Sequence, residues 1–549
     1  MNLVNFIFEA ASKLKRWPHP AVLYGSSRYS YQHLLSRVRQ SASVIRQCGV
    51  LRGDRVAIVC CDCPDFICGF LGSIAARSIA VPISTMLPAG ELEFILADCG
   101  AKAVLLSPDQ LEKVSPVLGN LPDLKTVFMT CRLRANQIPD PNIPPPEITR
   151  HSNAPFVPSW LRGVSQTVID FDQAISESPP AAIDDAPDDE LAFILYTSGS
   201  TGKPKGAMHL HRNLPWTVNT YCRHILNVQP EDRLFSSSRL FFAYGLGNSL
   251  SFPLSSGAGA ILCSERPTPP VISDVFRRHR PTIFFGVPAV FRALIEYREA
   301  GNPLDTESIV FCVSAGEKLP KRVYHDWKAI TGLEILDGIG STEMLHMFMS
   351  NSRDSVTPGS SGKPLPCYEA KLLDPAGNEI PGTGTGDLLI KGGSASPGYW
   401  RNPEKTASTM LGEWMRTGDI YRRDSEGNYW FDGRSDDLFK VKGLWISPVE
   451  VEEALLNAPE VSEAAVVAAY DPDGLSRVVA FVVLRNDHLK DAAAVERIKS
   501  AACQRLQPYK CPSEIYFLDK LPRTATGKLQ RFKLREARQN ADFGMQNAE

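Results

Sequence analysis

Charge of one sign is missing from this chain. Its 59 lysines and arginines stand against 61 aspartates and glutamates, a formal balance of −2, so no global basic field points to nucleic acid. Long apolar runs are missing as well. The longest, Phe66 to Ala76, is too short to span a bilayer and holds two glycines, so no membrane partner is expected. Met1 to Trp17 carries its apolar residues ahead of its lysines and holds Glu9 among them, the reverse of a secretory signal. That stretch is expected to form an amphipathic helix. A cysteine framework is absent too: the thirteen cysteines are scattered and odd in number, which fits reduced thiols in a cytoplasmic protein. Cys60, Cys61, Cys63 and Cys68 do crowd together, but the first two close the strand-like run that begins at Arg55, and no second pair follows. They read as small buried hydrophobes rather than metal ligands.

What is present is an ordinary globular composition, 43% hydrophobic and 22% charged. At 549 residues the chain exceeds what one core can hold and must divide. Helix-like and strand-like segments alternate through Leu34 to Cys48, Val56 to Cys60, Phe66 to Ala76, Ile79 to Ile83, Ala89 to Cys99 and Ala103 to Leu106. Such alternation predicts an α/β fold of helix-covered, mostly parallel sheets. A proline-rich stretch, Pro139 to Pro158, reads as an extended surface connection. Strands are predicted again at Ala260 to Cys263, Thr282 to Phe285 and Ile309 to Val313. Near Arg434 the texture turns charged and turn-like. Beyond it come helix Pro448 to Leu456, strands Val461 to Ala469 and Val478 to Leu484, helix Ala492 to Leu506 and strand Ile515 to Leu518. The expected division is a large domain over 1–433, a hinge over 434–437 and a small α+β domain over 438–549, fraying from Asn540.

The strongest chemical signal is Tyr196 to Gly206, which follows a strand-like run from Leu191 to Leu195. Thr197, Ser198, Gly199, Ser200, Thr201, Gly202 and Lys203 bring hydroxyls, glycines and an ammonium group together. Glycines let backbone N–H groups approach a ligand, and the other groups add donors, which makes a cradle for phosphate oxygens. It is not the common nucleotide loop, in which Lys-Ser/Thr follows the second glycine and opens a helix. Here Pro204 follows Lys203 and prevents that continuation. A bland surface loop would share the composition but not this order. The segment closely resembles the signature loop of the acyl-adenylate-forming superfamily: acyl-CoA synthetases, peptide-synthetase adenylation domains and beetle luciferases.

Further segments resemble that superfamily in the same order, over nearly the whole chain. Asp337-Gly338-Ile339-Gly340-Ser341-Thr342-Glu343 resembles the segment lining the nucleotide and acyl sites. The resemblance implies that Thr342 donates to the α-phosphate and that Glu343 holds Mg²⁺, a hard cation that prefers oxygen. The family has an aromatic residue where Ile339 stands, so apolar contact would replace stacking on adenine. Ala315, Gly316 and Glu317 fall on the same nucleotide surface. Arg416-Thr417-Gly418-Asp419 resembles the ribose clamp, with Asp419 accepting both hydroxyls and Arg434 assisting. Alone such a turn is uninformative; its order and distance behind Glu343 carry the weight. Asp436 stands at the family's hinge, where a few residues absorb a large φ/ψ change, and aspartate is compatible with several backbone wells. Lys440 to Pro448 resembles the loop of the second-step site, which implies Lys442, Gly443 and Trp445 in CoA binding. A glycine there lets a long thiol arm pass close to backbone. Pro522 to Lys528 matches the segment presenting the catalytic lysine. Lys528 is therefore implied to bridge the acyl carboxylate and the α-phosphate, offsetting charge as the carboxylate attacks.

The implied reaction has two steps. ATP converts a carboxylate to an acyl-adenylate and releases pyrophosphate; a small mobile C-terminal domain then turns, and the CoA thiolate displaces AMP. Leu240 to Asn248, Phe285 to Ala289, Ser314 to Glu317 and Gly340 to His346 resemble the benzoate–CoA ligase branch, which implies an aromatic carboxylic acid: benzoate, 2-aminobenzoate or a hydroxybenzoate. The implied acyl site comprises Ala243, Tyr244, Gly245, Gly286, Ala315, Ile339, Gly340 and His346. Tyr244 and nearby phenylalanines offer faces and edges to a ring, and Gly286, Gly316 and Gly340 leave room for a flat slot. No aspartate lies between Leu240 and Asn248, which speaks against an amino-acid substrate. Two rivals stand beside this reading. One is a ligase loading an acyl carrier protein's phosphopantetheine; the other is a degenerate nucleotide-binding regulator, which intact Glu343, Asp419 and Lys528 oppose. Monomer and homodimer are both compatible with the sequence.

Overall fold

The computed structural model describes residues 1–130, 166–197, 203–441, 444–470, 476–485, 490–523 and 529–540. The proline-rich stretch lies outside them, as do the residues beyond Asn540.

Alternation of strand and helix resolves into two sheets. The first has seven strands in the spatial order Thr167–Asp170, Thr126–Met129, Ala101–Leu106, Arg55–Val59, Ile79–Pro82, Leu191–Thr197 and Lys205–Leu210. Neighbours run parallel except the last pair, which is antiparallel. The second has nine strands, with a parallel core of Ile335–Gly340, Phe311–Ser314, Ile283–Gly286, Arg233–Ser236, Gly259–Leu262 and Pro20–Tyr24. Antiparallel strands close both of its edges. Parallel strands must be buried on both faces, and the run Arg55 to Val59 shows it: Val56, Ala57, Ile58 and Val59 are all closed to solvent.

The helix Pro64–Ala75 is buried along its whole length. Proline at its first turn costs no hydrogen bond. Gly69 and Gly72 are fixed by packing: a Cβ at Gly72 would lie 2.2 Å from the Ser41 hydroxyl on helix Tyr31–Gln47, and one at Gly69 would lie 2.6 Å from Leu105. Phe66, Ile67, Phe70, Leu71 and Ile74 are fully enclosed, at about 1.5–3 kcal/mol of transfer free energy each. Under the second sheet, Phe235, Phe276, Phe284, Phe291 and Trp327 form a chain of edge-on aromatic contacts with centroids 5.0–6.3 Å apart. The expected N-terminal amphipathic helix is Leu3–Lys13, capped by the Asn2 side chain. No helix of the described residues is long and apolar enough to cross a membrane.

The described residues separate into two compact units, 1–369 with 390–415, and 370–389 with 416–549. In the second, Val461–Tyr470, Ser476–Leu484 and Glu514–Phe517 form a three-stranded sheet. It packs with helices Pro448–Leu456 and Ala492–Cys503 around Val451, Leu455, Val466, Ala480 and Ile498. The chain also makes a short hairpin, Phe439–Val441 with Leu444–Ile446.

One sequence expectation is corrected. The helix begun at Ala492 stops at Cys503, short of Leu506, and a 3₁₀ turn follows at Pro508–Lys510. Cys503 and Cys511, eight residues apart, stand side by side. The reason is local: the tight return through Pro508 brings the two Cα atoms to 5.4 Å. Among the described residues ten other cysteines are free thiols.

Candidate active site

Parallel strands of the second sheet end in register, and the site is built on those ends. Gly286 pairs with Ser314 and Ser314 with Asp337 across three neighbouring strands. Carboxyl ends of parallel strands are where open α/β sheets bind ligands. Ala315, closed to solvent, and Gly316, at φ +93°, carry the chain off the middle strand, and Glu317 follows half-buried.

Asp337 and Gly338 are buried, whereas Ile339 and Gly340 emerge at the end of their strand. Burial pushes the Asp337 carboxyl up to about 8. Its Oδ2 accepts a 3.4 Å hydrogen bond from Leu319 N–H, and its Oδ1 has no protein partner. The chain then reverses: Met344 N–H donates to the Ser341 hydroxyl at 3.2 Å, Leu345 N–H to the Thr342 carbonyl at 3.1 Å, and Leu345 takes φ +65°. The reversal leaves Thr342 and Glu343 half-buried at its tip and returns His346 to the interior.

Glu343 is held from two sides. The Tyr399 hydroxyl donates to its Oε1 at 2.6 Å, and Lys205 Nζ stands 3.9 Å from the same oxygen. Lys205 also lies 4.6 Å from the centroid of the Tyr399 ring. Thr197, last residue of Leu191–Thr197, pairs directly with Lys205, so the glycine-rich segment between them leaves and re-enters the sheet at one place, with Lys205 reaching Glu343. Lys203 lies 5.9 Å from the Phe94 ring centroid. Ser198, Gly199, Ser200, Thr201 and Gly202 lie outside the described residues.

Rings gather around His346. Its Nε2 pairs with Asn248 Oδ1 at 3.2 Å, and its ring centroid lies 5.6 Å from Tyr244, 5.4 Å from Tyr221 and 4.7 Å from Phe252. Burial holds the imidazole down at about 3, so it is neutral. Its Nδ1 and the Asn248 amide nitrogen lack protein partners. The Tyr244 hydroxyl donates to the carbonyls of Gly286 and Val313, each at 3.3 Å. Ala243, at 9% exposure, opens the short helix that carries Tyr244. The glycines here answer to close packing. A Cβ at Gly245 would lie 2.0 Å from the Arg239 carbonyl, at Gly286 2.7 Å from the Phe291 ring, and at Gly340 2.5 Å from the His346 carbonyl. Beside Gly316 there is room, with Val287 the nearest atom at 3.7 Å.

The second unit holds its own polar cluster. Arg434 donates to Asp419 Oδ1 at 2.7 Å, across the antiparallel pair Trp414–Arg423 and Tyr429–Arg434. A Cβ at Gly418, which takes φ +74°, would lie 3.0 Å from the Arg434 guanidinium. Hydrogen-bond partners change within three residues. The Ser435 hydroxyl donates to Asp387 at 2.8 Å, Asp436 is exposed, and Asp437 accepts from Arg531 and Arg535 of the terminal helix Arg531–Asn540. Trp445 is 57% exposed, with Lys440 Nζ 4.7 Å from its ring centroid. Lys442, Gly443 and Lys528 lie outside the described residues.

Tyr399, Lys205 and Asn248 escaped selection from the sequence. Lys205 belongs to the glycine-rich segment, and its pairing with Thr197 would have singled it out had the hairpin been recognised. Asn248 lies in a π-helical turn, Gly247–Ser251, whose register no 3.6-residue period reveals. Nothing in spacing ties Tyr399 to Glu343.

Comparison with known proteins follows the same lines. The AMP-binding enzyme family matches residues 8–400, and its C-terminal domain matches residues 450–528. A benzoate–CoA ligase of Thauera aromatica is 41% identical over 93% of this chain and 91% of that enzyme. Among solved structures, the anthranilate CoA ligase AuaEII in complex with anthranoyl-AMP superposes with a TM-score of 0.87 at 33% identity, covering 98% of both chains. A benzoate CoA ligase from Burkholderia xenovorans LB400 superposes with a TM-score of 0.84 at 37% identity, covering 97% of this chain and all of that one.

Proposed function

The chain belongs to the AMP-binding enzyme family, in its benzoate–CoA ligase branch, and on that premise we propose how its residues divide the work. The enzyme is an ATP-dependent, AMP-forming acid–thiol ligase that joins an aromatic carboxylic acid to CoA through an acyl-adenylate. Its co-substrates are ATP and CoA, and its metal is Mg²⁺.

In the first step the segment Thr197 to Lys203 cradles the phosphates and Thr342 donates to the α-phosphate. Lys528 bridges acid and phosphate, so that charge building on the attacked phosphorus meets a fixed cation. Ala315, Gly316, Glu317, Asp337, Gly338 and Ile339 line the base, and Asp419 with Arg434 takes the ribose hydroxyls. The donor chemistry at Glu343 fits Mg²⁺: an oxygen ligand, 15% exposed, steadied by Tyr399 and Lys205. Held by Glu343, Mg²⁺ would supply charge neutralisation for the phosphates.

In the second step the chain pivots at Asp436, and Lys442, Gly443 and Trp445 guide the pantetheine arm. The change of partners between Ser435 and Asp437 supports that pivot, and with it the division into 1–433, 434–437 and 438–549. The exposure of Trp445 supports its availability to a second substrate. A cytoplasmic location, where ATP and CoA are at hand, accommodates the reading, as do monomer and homodimer.

The acid is benzoate or a small ring-substituted benzoate, and the enclosure of Tyr244, Phe252 and His346 carries that choice. Two buried polar atoms without protein partners, His346 Nδ1 and the Asn248 amide nitrogen, favour a ring amino or hydroxyl group, since an unmatched buried polar atom costs about 1–3 kcal/mol. ATP–pyrophosphate exchange and thioester formation across a panel of acids test this. Benzoate, 2-aminobenzoate and hydroxybenzoates should exceed octanoate, acetate and phenylalanine at least tenfold in kcat/KM. A winning fatty acid or amino acid would overturn the aryl assignment. Aryl transfer to a phosphopantetheinyl carrier protein in preference to CoA would replace CoA as the acceptor.

A further inference from the structure

Three thiols converge where the sequence suggested only packing. Cys60 follows the strand Arg55–Val59, and Cys63 is the N-cap residue of helix Pro64–Ala75. The Sγ atoms of Cys60 and Cys63 are 3.5 Å apart, and the sulfurs of Cys60, Cys61 and Cys63 all lie within 4.8 Å of one another. The junction also lies at a reversal in the first sheet. From Arg55–Val59 the chain proceeds to the neighbour on one side, Ile79–Pro82, whereas from the opposite neighbour, Ala101–Leu106, it proceeds outward to Thr126–Met129. At such a reversal the carboxyl ends of parallel strands open a crevice that binds ligands.

We propose that Cys60, Cys61 and Cys63 form a site for a thiophilic d¹⁰ cation, Zn²⁺ or Cu⁺, bound through three thiolates. Two sulfurs 3.5 Å apart, each about 2.3 Å from a shared ion, subtend an angle of about 100° at it, close to tetrahedral. A dithiol pair would leave the third sulfur without a role; an ion uses all three. Among the described residues no fourth Cys, His, Asp or Glu ligand atom joins the group, so water or a small anion completes the shell. Asp62, inside the triplet, is engaged elsewhere: Leu240 N–H donates to its Oδ1 at 3.0 Å, and Arg239 stands 3.8 Å from its Oδ2. Those contacts hold the triplet's backbone in place. Cys60 and Cys63 are closed to solvent and Cys61 is half-buried, so the ion enters past Cys61. Each thiol releases its proton to solvent on binding. Three thiolates leave one negative charge with Zn²⁺ and two with Cu⁺, and the N-terminus of helix Pro64–Ala75, worth about half a charge, offsets part of it.

The test uses the full chain, reduced, stripped of metal with a chelator and freed of it. Cd²⁺ is titrated in, and sulfur-to-metal charge-transfer absorption is followed. The expected result is saturation at one ion per chain, displacement of the signal by Zn²⁺, loss of the signal in Cys61→Ser, and its retention in Cys68→Ser. Alkylation of the wild-type protein with and without Cd²⁺, mapped by peptide mass, needs no variant and should show Cys60, Cys61 and Cys63 protected together. Absence of the signal, its survival in Cys61→Ser, or protection of other cysteines instead would overturn the site. Oxidation to a Cys60–Cys63 disulfide without cadmium uptake after re-reduction would likewise replace it with a dithiol pair.

Discussion

Asp337 and Asp419 both lie on strands and both are nearly closed to solvent, at 3% and 8% exposure, yet their surroundings differ. Asp419 receives a 2.7 Å hydrogen bond from Arg434, while Asp337 has a long backbone donor and an oxygen without a protein partner. The segment around Asp419 therefore presents a charged pair assembled before any ligand arrives. The segment from Asp337 to His346 instead keeps its interior neutral, with a protonated carboxyl and a neutral imidazole, and raises charge only at Glu343. A diol needs a ready acceptor, whereas an apolar ring needs a dry enclosure whose polar atoms carry no charge.

The sharpest break between the two segments should appear in Glu343→Gln against Asp419→Asn. Loss of the carboxylate at Glu343 should slow ATP–pyrophosphate exchange by about 10²–10³-fold at saturating ATP. Loss at Asp419 should act mainly on the KM for ATP, by roughly tenfold, the worth of a charge-assisted hydrogen bond. Indistinguishable kinetic patterns in the two variants would abolish the distinction. Next in size is the proposed pivot. Asp436→Pro fixes φ and removes an N–H, so thioester formation should fall by at least about tenfold while pyrophosphate exchange stays within about twofold; equal losses would move the pivot elsewhere.

A smaller effect separates the neutral interior. His346→Leu removes one buried polar partner, and the preference between hydroxybenzoates and benzoate should shift by about tenfold. An unchanged preference would detach His346 from ring recognition. The smallest prediction concerns pH. His346 titrates at about 3 when folded against an ordinary 6.5, so its contribution to stability is present above pH 6.5 and is lost as pH falls toward 3. Asp337 is raised instead, to about 8 from 3.8, so its contribution is present below pH 3.8 and is lost as pH rises through 8. Between pH 6.5 and 5, His346→Gln should therefore lose about 2 kcal/mol less stability than the wild type, at about 1.4 kcal/mol per pH unit for one proton. Denaturant midpoints at the two pH values measure it, and parallel losses would mean the imidazole is not held neutral.

Much of the scaffold was legible because its strands are short β-branched runs and its helices have apolar faces. Ala89–Cys99 and Pro448–Leu456 match their predicted bounds, and other elements differ by a few residues at their ends, where caps rather than periodicity decide. Asp419 and Arg434 were legible as a pair because a resemblance in order named both. The tie of Glu343 to Tyr399 was not, since it joins residues 56 apart in sequence.

Residue order by itself determined the alternation that makes parallel sheets, the glycine and hydroxyl chemistry of Thr197 to Gly202, and the family. These properties are local, set by backbone preference and by which side chains follow one another. Tertiary structure alone decided that Gly286, Ser314 and Asp337 end in one row, that Gly286 and Gly340 serve close packing, and that Asn248 meets His346. It also decided that Cys60, Cys61 and Cys63 face one another. The reason is that strand register and crossover direction place distant residues side by side, and solvent exclusion then sets their charge.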